Sequence, residues 1–149
     1  PMAPIPWLES EAWSKISVAL LLVWRWTGYN MVLMLAGLQG ISDDYYEAAI
    51  IDGATRWQRM RHITLPLMRP TLVFCGIMSL IGTVYMFDEV FVMTQGGPGT
   101  SSTNFGLYLF NLAFMDFRFG FASSAAYTVA IAVFVVSLVI LKWRKPATD

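Results

Sequence analysis

Three long apolar runs set the frame of the chain: Ile16 to Leu38, Thr71 to Met93 and Phe121 to Leu141. Each holds roughly twenty residues or slightly more, enough at about 1.5 Å per residue for a helix to cross a ~30 Å hydrocarbon core. The first is interrupted by Trp24-Arg25-Trp26, the second is free of charge until Asp88 and Glu89 near its far end, and the third carries no charge. Ser123-Ser124-Ala125-Ala126 opens the third run with small residues that let membrane helices approach closely. Pro1 to Trp13 reads as an irregular segment, with Trp7 and Trp13 suited to the lipid headgroup level. The expected fold is an all-α integral membrane protein with about three transmembrane helices, at residues 16–38, 71–93 and 121–141.

The polar segment at residues 42–70 predicts two short helices joined at a glycine. Ser42 caps the first, Asp43 and Asp44 sit in its positive first turn, and Tyr46, Ala49 and Ile50 form an apolar stripe. Gly53 after Asp52 supplies the left-handed residue that ends a helix. The second helix starts at Ala54, with Trp57, Met60 and Thr64 on one side and Thr55, Gln58, Arg59 and His62 on the other. Pro66 is expected to stop it, and Pro70 to lie in the first turn of the next apolar helix. Residues 94–120 read as a loop between spans, glycine-rich from Gln95 to Ser102 and crowded with aromatics from Asn104 to Phe119. Within it Leu107, Phe110, Phe114 and Phe117 recur at helical spacing, as in a helix lying along the interface.

Composition supports the membrane reading. Of 149 residues, 56% are hydrophobic and 13% charged, and the mean hydropathy is +0.56. A net charge of +0 gives no reason to expect nucleic acid as a partner. The single Cys75 can form no intrachain disulfide, and Pro1-Met2-Ala3-Pro4 does not read as a secretory signal. Arg56, Arg59, Arg61, Arg69, Lys142, Arg144 and Lys145 fall on one side of the spans, against Lys15 and Arg118 on the other. The positive-inside rule therefore puts the polar segment and the carboxyl terminus in the cytoplasm and the amino terminus outside.

The polar segment spells Glu47-Ala48-Ala49, three residues, Gly53, nine residues, then Ile63-Thr64-Leu65-Pro66. This resembles the EAA motif of the membrane permease subunits of bacterial ATP-binding-cassette importers. Leu35 to Ile41 (LAGLQGI), DGATRWQ within the segment, and Phe87 to Gly99 (FDEVFVMTQGGPG) are similar to the carbohydrate-uptake branch, whose members carry maltose, other oligosaccharides or glycerol-3-phosphate. The resemblance covers nearly all of the chain but only the carboxyl-terminal half of the usual six-helix core, with one span instead of several before the motif. It implies a type I importer permease in the bacterial inner membrane, forming part of a sugar pathway. It implies as partners cytoplasmic ATPase subunits, a second permease, an extracytoplasmic sugar-binding protein and membrane lipid. No cofactor of its own is expected, ATP being bound by the partner subunits.

By the same resemblance, Glu47, Ala48, Ala49, Asp52, Gly53, Ile63, Leu65 and Pro66 would couple to the ATPase, Glu47 meeting a basic group there and Gly53 setting the angle between the helices. Thr27, Gly28, Met31, Phe87 and Asp88 would line the substrate path, an aromatic face and a carboxylate being suited to a sugar ring and its hydroxyls. The bland alternatives are a solvated helix charge for Glu47 and a helix-end contact for Asp88. Arg25 reads either as a residue of the path or of a subunit contact, or as a snorkelling arginine packed between tryptophans.

Enzymatic readings are weaker. Adjacent residues on a helix point about 100° apart, so Asp88 and Glu89 do not converge on one bond as acid and base. Gly96-Gly97-Pro98-Gly99 lacks the lysine of a nucleotide-binding loop and suits contact with a binding protein better. His62, the only histidine, has no second ligand at metal-binding spacing. A truncated or accessory subunit that binds the ATPase without transporting is the alternative to a working permease, ahead of a membrane-embedded enzyme using Asp88, Glu89 and Arg25.

Overall fold

The structure is a computed structural model and describes residues 5–142. The described residues form helices joined by turns, with no strand among them. The helices are α1 (Glu11–Gln39), α2 (Asp44–Ile51), α3 (Arg56–Val84), α4 (Asp88–Met93), α5 (Phe105–Met115) and α6 (Phe119–Lys142). Of these, α1, α3 and α6 are long and apolar enough to cross a membrane. In their apolar windows only 6%, 11% and 6% of residues are buried within the chain, so most of their side chains are left to meet lipid or other helices.

The chain divides into two compact units. One comprises the chain through Trp26 together with Ser79–Val136. It contains the small core of Val18, Val90 and Leu107, with Leu22, Met86, Phe87, Met93 and Phe110 packed around it. The other comprises Thr27–Met78 with the described residues from Ser137 on, and contains the polar segment.

The helix bounds differ from the expected spans in instructive places. The first helix begins at Glu11 rather than Ile16, and the last covers Phe119–Lys142 around the expected 121–141. The second does not start at Thr71: a single helix runs from Arg56 through Pro66 and Pro70 to Val84. Proline breaks a helix partly because its ring collides with the carbonyl four residues back, here that of His62. Met60–Thr64 is a π turn, in which Leu65 N–H bonds to the Met60 carbonyl, and the widened backbone carries the helix past Pro66. The same span also ends early, because Tyr85 to Phe87 are not helical and the remainder forms the separate α4. Residues 94–120 are a loop only in part, since α5 lies within them. Phe117, with φ 54°, falls outside α5. Arg144 and Lys145 lie outside the described residues.

Candidate functional site

The polar segment is held by local hydrogen bonds at every joint. Ser42 Oγ accepts from Asp44 N–H at 3.3 Å while Asp43 already has helical dihedrals (φ −62°, ψ −25°), so Ser42 caps α2 as its sequence suggests. At the other end Gly53 has φ 74°; its N–H bonds to the Ile50 carbonyl at 3.0 Å, and Ala54 N–H to that of Ala49 at 2.9 Å. This is the paired closure by which a glycine in the left-handed region satisfies the last carbonyls of a helix. Thr55 then starts α3 with a reciprocal cap. Its hydroxyl accepts from Gln58 N–H at 3.3 Å, and the Gln58 amide oxygen accepts from Thr55 N–H at 2.8 Å.

One long-range bond ties the two helices together: Tyr46 Oη and Thr64 Oγ1 lie 2.9 Å apart. Thr64 is the last residue of the π turn, so α2 is fixed to α3 where the helix is widened. The expected coupling residues divide accordingly. Ala49, Ile63 and Pro66 are half-buried, whereas Glu47, Ala48, Asp52, Gly53 and Leu65 are exposed. On either side of Gly53, Ile51 is 85% exposed and Trp57 67%, so the segment leaves large apolar side chains open.

The second candidate region is the helix break at Tyr85–Phe87. Ending α3 there would leave the Met86 carbonyl without a helical partner. Asn104 supplies one: its side-chain amide donates to the Met86 oxygen, while its own carbonyl accepts from Leu107 N–H at 3.0 Å and caps α5. Gly106 sits directly over the same Met86 carbonyl, where a Cβ would collide with backbone. Phe87 follows with its ring stacked on Phe91 at 5.0 Å and tilted against Phe110 at 4.9 Å. Asp88 opens α4 and is exposed, while the neighbouring Glu89, about 100° further round the helix, has a side chain only 9% exposed. Thr27, Gly28 and Met31 lie on α1 as exposed residues.

Arg25 is neither a free residue nor sandwiched by tryptophans. It forms an ion pair with Glu89, Trp24 is 76% exposed, and Trp26 packs against Gly82. Together with Ser14, which contacts Ser101 Oγ at 3.3 Å, and Val18, Arg25 belongs to one face of α1 that docks on α4 and the loop after it. The reciprocal cap at Thr55 was readable as a Thr-x-x-Gln pattern. The Arg25 pairing and the Asn104 bond to Met86 had no local signal. Among the described residues no group of three His, Cys, Asp or Glu side chains is placed to hold a metal ion.

Comparison with known proteins bears on the fold and the family. The chain is 42% identical over 137 residues to the lactose transport system permease protein LacF of Rhizobium radiobacter, covering 90% of this chain and 46% of that protein. It is 36% identical over 141 residues to the trehalose/maltose transport system permease protein MalF of Thermococcus litoralis, covering 95% and 48%. It therefore spans about half the length of these relatives. The crystal structure of a bacterial ABC transporter involved in import of the acidic polysaccharide alginate superposes with a TM-score of 0.79 at 25% identity, over 97% of this chain and 51% of that one. The fold and the relatives are those of transport permeases, not of enzymes. The profile described as binding-protein-dependent transport system inner membrane component matches residues 2–143, and the chain belongs to that family.

Proposed function

We propose that the chain forms part of the translocation pathway of an ATP-driven importer for a sugar or sugar derivative, and couples to a cytoplasmic ATPase through the Glu47–Pro66 segment. The observation that carries this reading is the continuity of α3. The helix that starts in the exposed turn at Arg56 is the one that enters the apolar span, without a joint at Pro66 or Pro70. A push on the turn is then delivered along a rod. A flexible connection would dissipate it.

Glu47, exposed on α2 one helical turn before the exposed Ile51, offers the ATPase a charge next to an apolar side chain. Gly53 sets the angle of α2 to α3, and the Tyr46–Thr64 bond keeps it. Asp88 offers the sugar a carboxylate that accepts from hydroxyls, with Phe87, Thr27, Gly28 and Met31 as further residues of the path. Sugar is the preferred cargo because the relatives are named for lactose and for trehalose/maltose. The partners are two ATPase subunits that bind the ATP, a second permease, a sugar-binding protein outside and the surrounding lipid. The coupling turn faces the cytoplasm and the Gln95–Ser102 loop the outside, in keeping with the arginines of the turn.

The test is to purify the full-length protein from membranes with its associated subunits and to measure sugar-stimulated ATP hydrolysis in proteoliposomes. Co-purification of an ATPase whose hydrolysis rises with sugar-loaded binding protein is the expected result. A full-length protein that transports sugar with no ATPase bound would overturn it.

A further inference from the structure

We propose that Arg25 and Glu89 are positioning residues whose ion pair fixes the rotation of α4 about its own axis, and with it the direction in which Asp88 is presented. The inference rests on the reading of Asp88 as a substrate contact. It concerns a different pair of side chains.

A helix of six residues such as α4 does not hold itself in place, because a helix this short is marginal on its own. It also follows a break, so side-chain contacts decide its orientation. Val90 and Met93 pack on the core, Phe91 lies against Phe110, and Glu89 supplies the charged contact. Val90 is fully buried against Val18 and Leu107, and Glu89 pairs with Arg25. Successive residues on a helix are separated by about 100°, so Asp88, Glu89 and Val90 point three ways. Apolar packing at Val90 is non-directional and by itself tolerates some roll of the helix. The Arg25–Glu89 pair draws Glu89 toward α1, and added to the apolar packing it narrows the roll of α4 and so the direction in which Asp88 is presented.

The pair is lopsided, and this makes the inference testable. The Glu89 side chain is 9% exposed, that of Arg25 57%. Without Arg25, Glu89 is a buried carboxylate lacking its counter-charge, the costly state for any buried pair. Turning α4 to bring Glu89 outward relieves it and carries Asp88 along. Without Glu89, the more exposed Arg25 is free to find another acceptor, and Val90 still holds α4. Arg25→Gln is therefore more disruptive than Glu89→Gln, although both delete the same bond.

Thiol reactivity in the complete, membrane-reconstituted transporter reports the rotation. In a Cys75→Ser background, single cysteines are placed at Phe91, 36% exposed on α4, and at Met93, packed against the core. The turn that brings Glu89 outward carries position 91 toward the core and position 93 away from it, so Arg25→Gln is expected to slow maleimide labelling at Phe91→Cys and to speed it at Met93→Cys, each by about threefold or more, whereas Glu89→Gln leaves both nearly unchanged. Combining Arg25→Glu with Glu89→Arg restores the original ratio. Rates that rise together at both positions indicate loosening without rotation and overturn the proposal, as do rates that do not change.

Uptake of lactose and maltose by the same proteins separates this proposal from the one on which it rests. If Asp88→Ala raises the half-saturating sugar concentration while Arg25→Gln leaves the labelling ratio unchanged, the positioning role falls and the substrate reading stands. If Arg25→Gln inverts the ratio while Asp88→Ala leaves the half-saturating concentration unchanged, the rotation stands and Asp88 is not a substrate contact.

Discussion

Asn104 reaches across the helix break to donate to the Met86 carbonyl, and the same side chain caps α5 at Leu107 N–H. One amide thus satisfies a carbonyl that the end of α3 leaves over and a donor that the start of α5 leaves over. The consequence is a rigid joint where Phe87 and Asp88 leave the membrane-spanning helix.

Asn104→Asp should keep the cap and lose the donor, whereas Asn104→Ala loses both. Removing a cap costs about 1 kcal/mol, and leaving the half-buried Met86 carbonyl without its partner adds up to about 1 kcal/mol more. The expected order of thermal stability in detergent is therefore wild type, then Asn104→Asp, then Asn104→Ala. Gly106→Ala should be at least as damaging as Asn104→Ala, because its Cβ meets the Met86 backbone and not the end of a flexible side chain. Scanning fluorimetry of the four proteins side by side checks the order, and a stable Gly106→Ala would contradict the close approach.

Tyr46 and Thr64 give a second, separate measurement. Their hydrogen bond joins an α2 side chain to the end of the π turn, and a bond of this kind contributes about 0.5–1.5 kcal/mol. Tyr46→Phe and Thr64→Val should each weaken ATPase-coupled transport, and the double variant should be no worse than the more severe single one. A cycle in which the two losses simply add would show that the residues act independently.

Much of this architecture is legible along the chain, and the failures share a cause. Gly53 and the three spans follow from local rules, since a left-handed helix end needs glycine and a membrane-crossing helix needs a long apolar run. Pro66 misleads because the rule that proline ends a helix holds only for a regular one, and the π turn at Met60–Thr64 widens the backbone beneath it. Arg25 and Glu89 sit far apart in sequence, and nothing near either residue announces the other. Asn104 is half legible: a polar residue before FGLYLF reads as a cap, but its second partner is set by where the break brings Met86.

Orientation across the membrane is open to direct measurement. Cysteines at Thr100 and Arg56, both exposed, are introduced singly in the Cys75→Ser background, the native cysteine being buried. The positive-inside distribution predicts that an impermeant maleimide labels Thr100→Cys in intact cells and labels Arg56→Cys only after the membrane is opened. The reverse pattern would put the coupling turn on the wrong side for a cytoplasmic ATPase.

Gly53 and Glu47 separate coupling from substrate choice. A Cβ at Gly53 would meet nothing within 4 Å, so a substitution there has no clash to relieve and acts through the backbone alone. At φ 74° a β-branched side chain is strongly disfavoured. Gly53→Val should therefore cost about 1–3 kcal/mol of local strain or swing α2 away from α3, while Gly53→Ala does so more mildly. Glu47→Ala leaves the turn intact and removes one charge, worth about 1.5–3 kcal/mol where it is hydrogen-bonded at an interface. In the reconstituted complex both changes should lower ATPase association or sugar-stimulated hydrolysis, with Gly53→Val the more severe, and neither should change which sugar is preferred. Pairing each variant with binding, hydrolysis and competition between two sugars makes the distinction. Hydrolysis that holds while preference shifts would mean that this turn touches the sugar's path, and that the rod from Arg56 to Val84 does not carry the ATPase stroke.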